Sequence, residues 1–310
     1  MLELKNKNLH AVFSKNGARL IALVIDGVDV VFGNPPDFDL ATADASAGAV
    51  VGRYAGRITK AQYELDGQIV KLIPNRGDFQ LHGGPHNFGN QDWASSVEGN
   101  SITFKFHSPD GDQGFPGIVE AQAVYTLEND RLKLAIGATT TKPTAINLTN
   151  HAYWNMAGLA KAGKDSIFAQ ELQINASTYL PLSDVLLPSG EIRKVADSRF
   201  DFRTLRKINE AYDNCYYLDG KRGEMKQALI LRDPESGRRL DVWTTECAIQ
   251  MYTAIHWDNK IPGKNGPLQQ HQALAIEPQN LPDAPNHANF PSAILRPGET
   301  YRNETEWRFS

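Results

Sequence analysis

The stretch Tyr63-Glu64-Leu65-Asp66-Gly67-Gln68-Ile69-Val70-Lys71-Leu72 decides the fold class. Two short apolar-rich runs flank Asp-Gly, the dipeptide that tolerates the positive φ of a tight two-residue turn, so the stretch reads as a β-hairpin. Asp26-Gly27, inside the run from Leu20 to Phe32, reads the same way. Outward from these hairpins, alternation and β-branched residues predict strands over 102–106, 118–127, 132–140, 145–148, 172–174, 229–232, 240–244, 248–252 and 274–277. Helical spacing is scarce, and 204–212 is the best short candidate. No internal repeat, low-complexity linker or composition shift divides the chain, so residues 1–310 read as one all-β unit of sandwich or barrel type.

Composition narrows the function classes. With 32 Lys and Arg against 36 Asp and Glu, the net charge is −4, and the cations form no basic stripe. Nucleic acid is therefore not an expected partner. Cys215 and Cys247 have neither metal-ligand spacing nor the density of a disulfide scaffold, which suits a reducing compartment. The charged start Met1-Leu2-Glu3-Leu4-Lys5 lacks an apolar signal core, and no segment is apolar enough to span a bilayer. The expectation is a cytoplasmic protein without a membrane partner, monomeric or homodimeric.

The chemistry concentrates in four segments. Thr149-Asn150-His151-Ala152-Tyr153-Trp154-Asn155 sets an ionisable imidazole among amides and aromatic rings, a setting suited to a polar ring-shaped ligand beside a proton donor. The others are Leu81-His82-Gly83-Gly84, Ile249-Gln250-Met251-Tyr252-Thr253 and Ile276-Glu277-Pro278-Gln279-Asn280-Leu281-Pro282-Asp283-Ala284. His82 and His86 are four apart, but Gly83, Gly84 and Pro85 forbid the helix that would align them, and no third ligand is evident, so a zinc site is rejected. No nucleophile elbow, Walker loop or dinucleotide fingerprint is present.

In this order, the four segments resemble the aldose 1-epimerase (galactose mutarotase) family. The resemblance covers nearly the whole chain, from Gly17-Ala18-Arg19-Leu20 through Val51-Gly52-Arg53-Tyr54-Ala55-Gly56-Arg57-Ile58 and Thr178-Tyr179-Leu180-Pro181 to Leu295-Arg296-Pro297-Gly298. It implies a large antiparallel β-sandwich with an open sugar cleft on one sheet. It also implies mutarotation, the exchange of α and β anomers of a free aldohexose by ring opening and closure, with neither cofactor nor metal.

By that resemblance Glu277 is the general base and His151 the general acid, held protonated by nearby carboxylates. His82 bonds the sugar near its ring oxygen. Asp213 accepts hydrogen bonds from sugar hydroxyls, Arg57 binds hydroxyls or fixes Glu277, and Gln250 bridges base and sugar. Asn150 orients the ligand. The carboxylate of Glu277 is expected at a strand end, just before a chain-breaking Pro278. Two departures from the family pattern stand out: Gly56 where the family has Asn, and Asn214 where it commonly has His.

Three other readings stay open. The substrate could be a hexose modified at C6 by phosphate or sulfonate, with Arg53 and Arg57 as the anion's partners. The protein could be a sugar-binding module without activity. Asp213 and Glu277 could instead be the paired carboxylates of a glycosidase.

Overall fold

The computed structural model describes residues 1–40, 42–184 and 186–310. Among them the strands form a nine-stranded antiparallel sheet, a seven-stranded antiparallel sheet, a four-stranded N-terminal sheet and several two-stranded ladders. This is the large antiparallel β-sandwich that the family resemblance implied, where alternation alone left sandwich or barrel open. Both Asp-Gly hairpins form: Gln62–Leu65 pairs with Gln68–Lys71, and Arg19–Ile25 pairs with Val28–Asp29. In each turn both central residues have positive φ, 50° and 78° at Asp66-Gly67, 48° and 81° at Asp26-Gly27. No helix is long and apolar enough to cross a membrane among the described residues.

The long strands Val119–Glu128, Arg131–Thr140 and Tyr301–Phe309 carry the nine-stranded sheet, with every second residue buried. Their inward residues, among them Tyr125, Leu134 and Trp307, join one core with Trp154, Met251 and Ile276 of the seven-stranded sheet. Trp93 and Trp154 also lie in this core, the latter ring 5.7 Å from that of Trp307. Each such side chain, fully withdrawn from water, contributes about 1.5–3 kcal/mol.

Three expectations need correcting. The stretch 204–212 is not a helix: Arg206–Lys207 pairs with Glu171–Leu172, while Ile208 and Tyr212 are buried in the core. The Arg206 guanidinium caps the Phe202 ring at 3.7 Å, so tertiary pairing overrides a weak local period. Strand 145–148 shrinks to Thr144–Ala145, because Asn147 turns its amide to the carbonyls of Ala55 and Asn280. Pro278 does not end its strand, which runs from Leu274 to Gln279. Ile276 N donates to Ala152 O, so the alternation aims the Pro278 nitrogen to the same side, where Tyr153–Trp154 has already left the sheet. A missing N–H costs nothing there.

Register in the seven-stranded sheet positions the site. Three consecutive strands align Asp213↔Tyr252↔Ala275, Cys215↔Gln250↔Glu277 and Tyr217↔Ala248↔Gln279. Directly opposed residues share a face, so Asp213, Gln250, Tyr252, Glu277 and Gln279 all project to one side. The alternate rows, Asn214↔Met251↔Ile276 and Tyr216↔Ile249↔Pro278, turn to the other side, whose apolar members belong to the core.

Candidate active site

The outward face of this sheet forms the floor of a cleft of about 690 Å³. Asp213, Gln250, Tyr252, Glu277 and Gln279 reach it from the floor; Arg57, His82, His151 and Tyr153 reach it from other segments. Its size falls within the range of small-ligand sites.

Each wall residue has a local cause. Strand Arg57–Ile58 pairs with Gln80–Leu81, which sets Arg57 opposite Leu81 and brings His82 next in line. His82 has φ +53°, and a Cβ on Gly83 would lie 2.0 Å from Gly52 O, so glycine is required for this close approach. Gly56 N then donates to His82 Nδ1 at 3.2 Å. His151 sits where the chain changes partners: Thr149–Asn150 pairs with Val50–Val51, and Tyr153–Trp154 pairs with Leu274–Ala275. That crossing puts His151 Nε2 3.4 Å from Glu277 Oε1. The His82 ring meets the His151 ring edge-on, centroids 5.2 Å apart, and Tyr153 flanks His151 at 5.1 Å.

Burial governs the electrostatics. Glu277 and His151 are only 2% and 4% exposed. Burial, with the Asp213 charge adding to it, pushes the Glu277 carboxyl well above its usual range. Burial pulls His151 down to about 4, against the opposing charge of Asp44. The expected carboxylate support for a protonated His151 thus exists but loses to desolvation. Burial disfavours the ionised carboxylate and the imidazolium alike. His82 is also driven well below its usual value, first by burial and then by the His151 and Arg57 charges.

Arg57 does not fix Glu277. Its Nη2 lies 3.4 Å from Asp213 Oδ2, and Gln250 Nε2 donates to Asp213 Oδ1 at 2.5 Å. Gln250 stands beside Glu277 in the register and gives one of its two amide N–H groups to Asp213. Asn150 is outside the cleft: its Nδ2 donates to Gly48 O and the Tyr125 hydroxyl, and its Oδ1 accepts from Ala152 N. Those groups are committed to the fold. Asn214 stands in the row that turns away from the cleft, so its departure from the family pattern does not touch the site. Arg53 is likewise removed from the site, with its guanidinium spent on Ser108 and the carbonyls of Pro116 and Gly117.

The fold does supply third ligands that spacing could not show. Ligand atoms of His82, His151 and Glu277 all lie within 4.8 Å of one another. However, a Nδ1 that accepts from Gly56 N–H leaves the neutral His82 protonated at Nε2, so it offers the cleft a donor rather than a lone pair.

Asp44, Tyr252 and His256 line the cleft too and were missed in the sequence. Tyr252 lies within a quoted segment, and its alternation with Gln250 was the available signal. Asp44 lies in a turn with no periodicity, and nothing local marks it.

Comparison with known proteins decides the family. The sequence model of the family described as Aldose 1-epimerase matches residues 1–308. Galactose mutarotase of Bos taurus is 37% identical over 272 residues, 85% of this chain and 78% of that protein. Aldose 1-epimerase of Escherichia coli K12 is 35% identical over 281 residues, 86% of this chain and 80% of that protein.

The chain belongs to the aldose 1-epimerase family.

The fold agrees: a crystal structure of a GalM/aldose epimerase homologue from C. elegans superposes with a TM-score of 0.91 at 32% identity, covering 100% of this chain and 98% of that one. Family members are carbohydrate isomerases.

Proposed function

We propose that this protein interconverts the α and β anomers of a free aldohexose, with Glu277 as base and His151 as acid. One observation carries the reading: a buried carboxylate and a buried imidazole face each other at 3.4 Å in a polar cleft. Mutarotation needs one group to take the O1 proton and another to protonate the ring oxygen. In the productive complex Glu277 is ionised and His151 protonated. Glu277 removes the O1 proton, C1–O5 breaks, and O5 receives the His151 Nε2 proton. The aldehyde turns its other face, O5–H returns its proton to His151, and Glu277 protonates the new O1.

The pair holds one proton before the step and one after it, so no exchange with solvent is needed. Burial disfavours both charges of the pair, and sugar hydroxyls bonded to the carboxylate favour its ionised form. Asp213, held by Arg57 and Gln250, is placed to accept from hydroxyls further round the ring. Freshly dissolved α-D-glucose or α-D-galactose should equilibrate faster with the protein, without cofactor, as followed by polarimetry. A rate equal to buffer alone for every free aldohexose tested would overturn the reading.

A further inference from the structure

Asp44 is the third carboxylate at this cleft and, like Glu277, buried, and the proton transfers do not use it. Its side chain is held entirely by donors. Ser46 N and Ala47 N reach Oδ1 at 3.0 and 3.3 Å, while Trp257 Nε1 and His256 Nε2 reach Oδ2 at 2.9 and 3.3 Å. A carboxylate so surrounded stays ionised. Burial pushes it up, yet the His256 bond and charge, the His151 charge and the Trp257 bond together hold it below the ordinary range. Among the described residues its ion-pair partner is His256, itself half exposed at the mouth and bonded through Nδ1 to the Tyr252 hydroxyl at 2.5 Å.

We propose that Asp44 is a positioning residue for the reaction: a fixed buried anion, locked by Trp257, His256 and its own turn, that favours the His151-protonated form of the catalytic pair. It rests on the assignment of Glu277 and His151 above. The groups that feel Asp44 come from every neighbouring segment: Arg19, His82, His151, Tyr153, Tyr252, His256 and Glu277. Its charge raises His151, His82 and Glu277, because an anion tightens proton binding at any nearby site; it is the largest charge acting on His151 and the least of the named ones on Glu277. At the pair it does two things. It favours the imidazolium that must deliver the O5 proton, and it makes the Glu277 carboxylate a stronger base.

The test is the pH profile of kcat/KM, whose limbs report the free protein and belong to the pair. The acid limb marks addition of a second proton to the pair, and the alkaline limb marks loss of its single one. Asp44→Asn removes the anion, so both limbs should move to lower pH together, by roughly half a unit or more. NMR titration of the His151 ring should show the same downward movement without reference to turnover. A variant that merely loosened the turn would lower the plateau and leave both limbs in place.

His256→Gln tests the opposite sign at a half-exposed position and decides the matter if Asp44→Asn does not fold. The His256 charge acts on His151 against that of Asp44, and glutamine carries none, so the acid limb should move up. Limbs and His151 titration unmoved in the folded variants would overturn the role of Asp44. Full activity in Glu277→Gln would instead overturn the reading beneath it, so the two failures are distinguishable.

Discussion

Asn150 and His151 are neighbours in the chain, both buried, yet they differ in what the fold leaves undone. Asn150 has its amide oxygen and nitrogen both bonded inside the protein. His151 Nδ1 and Glu277 Oε2 are buried with no protein partner, as are the Arg57 Nε and both amide atoms of Gln279 at the same cleft. Buried polar atoms are nearly always paired, and leaving one orphaned costs about 1–3 kcal/mol. Satisfied polarity at 150 therefore stabilises the fold. Unsatisfied polarity at 151 and 277 is what the proposed sugar complex would use, its hydroxyls completing the bonding.

The largest effect that could break this contrast comes from Glu277→Gln and His151→Gln. Each keeps the shape and removes a proton-transfer group, so kcat should fall by at least about 10² while sugar still binds. Stability should move the other way for Glu277. Its folded-state pKa is raised, so the native state is weakened as pH climbs from the ordinary carboxylate range through the raised value. Glutamine removes that penalty, and thermal melts at neutral pH should show Tm unchanged or higher. Near-normal kcat in Glu277→Gln would break the assignment; a large loss of Tm would make the residue structural.

What the sequence carries follows the range of the interactions. Asp66-Gly67 and Asp26-Gly27 are local, and their turn chemistry alone specifies two hairpins. The segment around Glu277 is legible as a motif, but its meeting with His151 depends on a register between strands more than a hundred residues apart. Pro278 illustrates the same limit. Whether proline ends a strand depends on whether a neighbour waits for its N–H, and 274–279 alone does not say. Asp44 had no local pattern at all, because its partners His256 and Trp257 lie over two hundred residues away. Asn150 shows the opposite case: its motif neighbours His151 and Tyr153 line the cleft, while its own amide turns into the fold.

A smaller effect sharpens the comparison from its structural side. Asn150→Ala orphans Ala152 N and removes one of two bonds at Gly48 O and at the Tyr125 hydroxyl, which keep Leu20 N and Ala18 O, so stability should fall by about 1–3 kcal/mol, read from denaturant or thermal unfolding. Below the transition, KM and kcat should stay close to the parent values. A raised KM with unchanged Tm would return Asn150 to the sugar site.

The smallest expected effect is none, and it concerns the same imidazole cluster. Two histidines and a glutamate within 4.8 Å form a metal-ligand set in kind. Coordination by His82 needs a lone pair directed at the ion, and neutral imidazole has one. Here it is taken by Gly56 N–H at Nδ1, so freeing it costs a backbone hydrogen bond within the turn that also positions Arg57. An acid–base mechanism uses the same tautomer productively, because His82 Nε2–H can donate to a sugar oxygen. Exhaustive treatment with a chelator should therefore leave the mutarotation rate where it was. Loss of activity under chelator, restored by a divalent ion, would show that the Gly56–His82 bond yields to metal and that unsatisfied polarity at this cleft awaits a cation rather than a sugar.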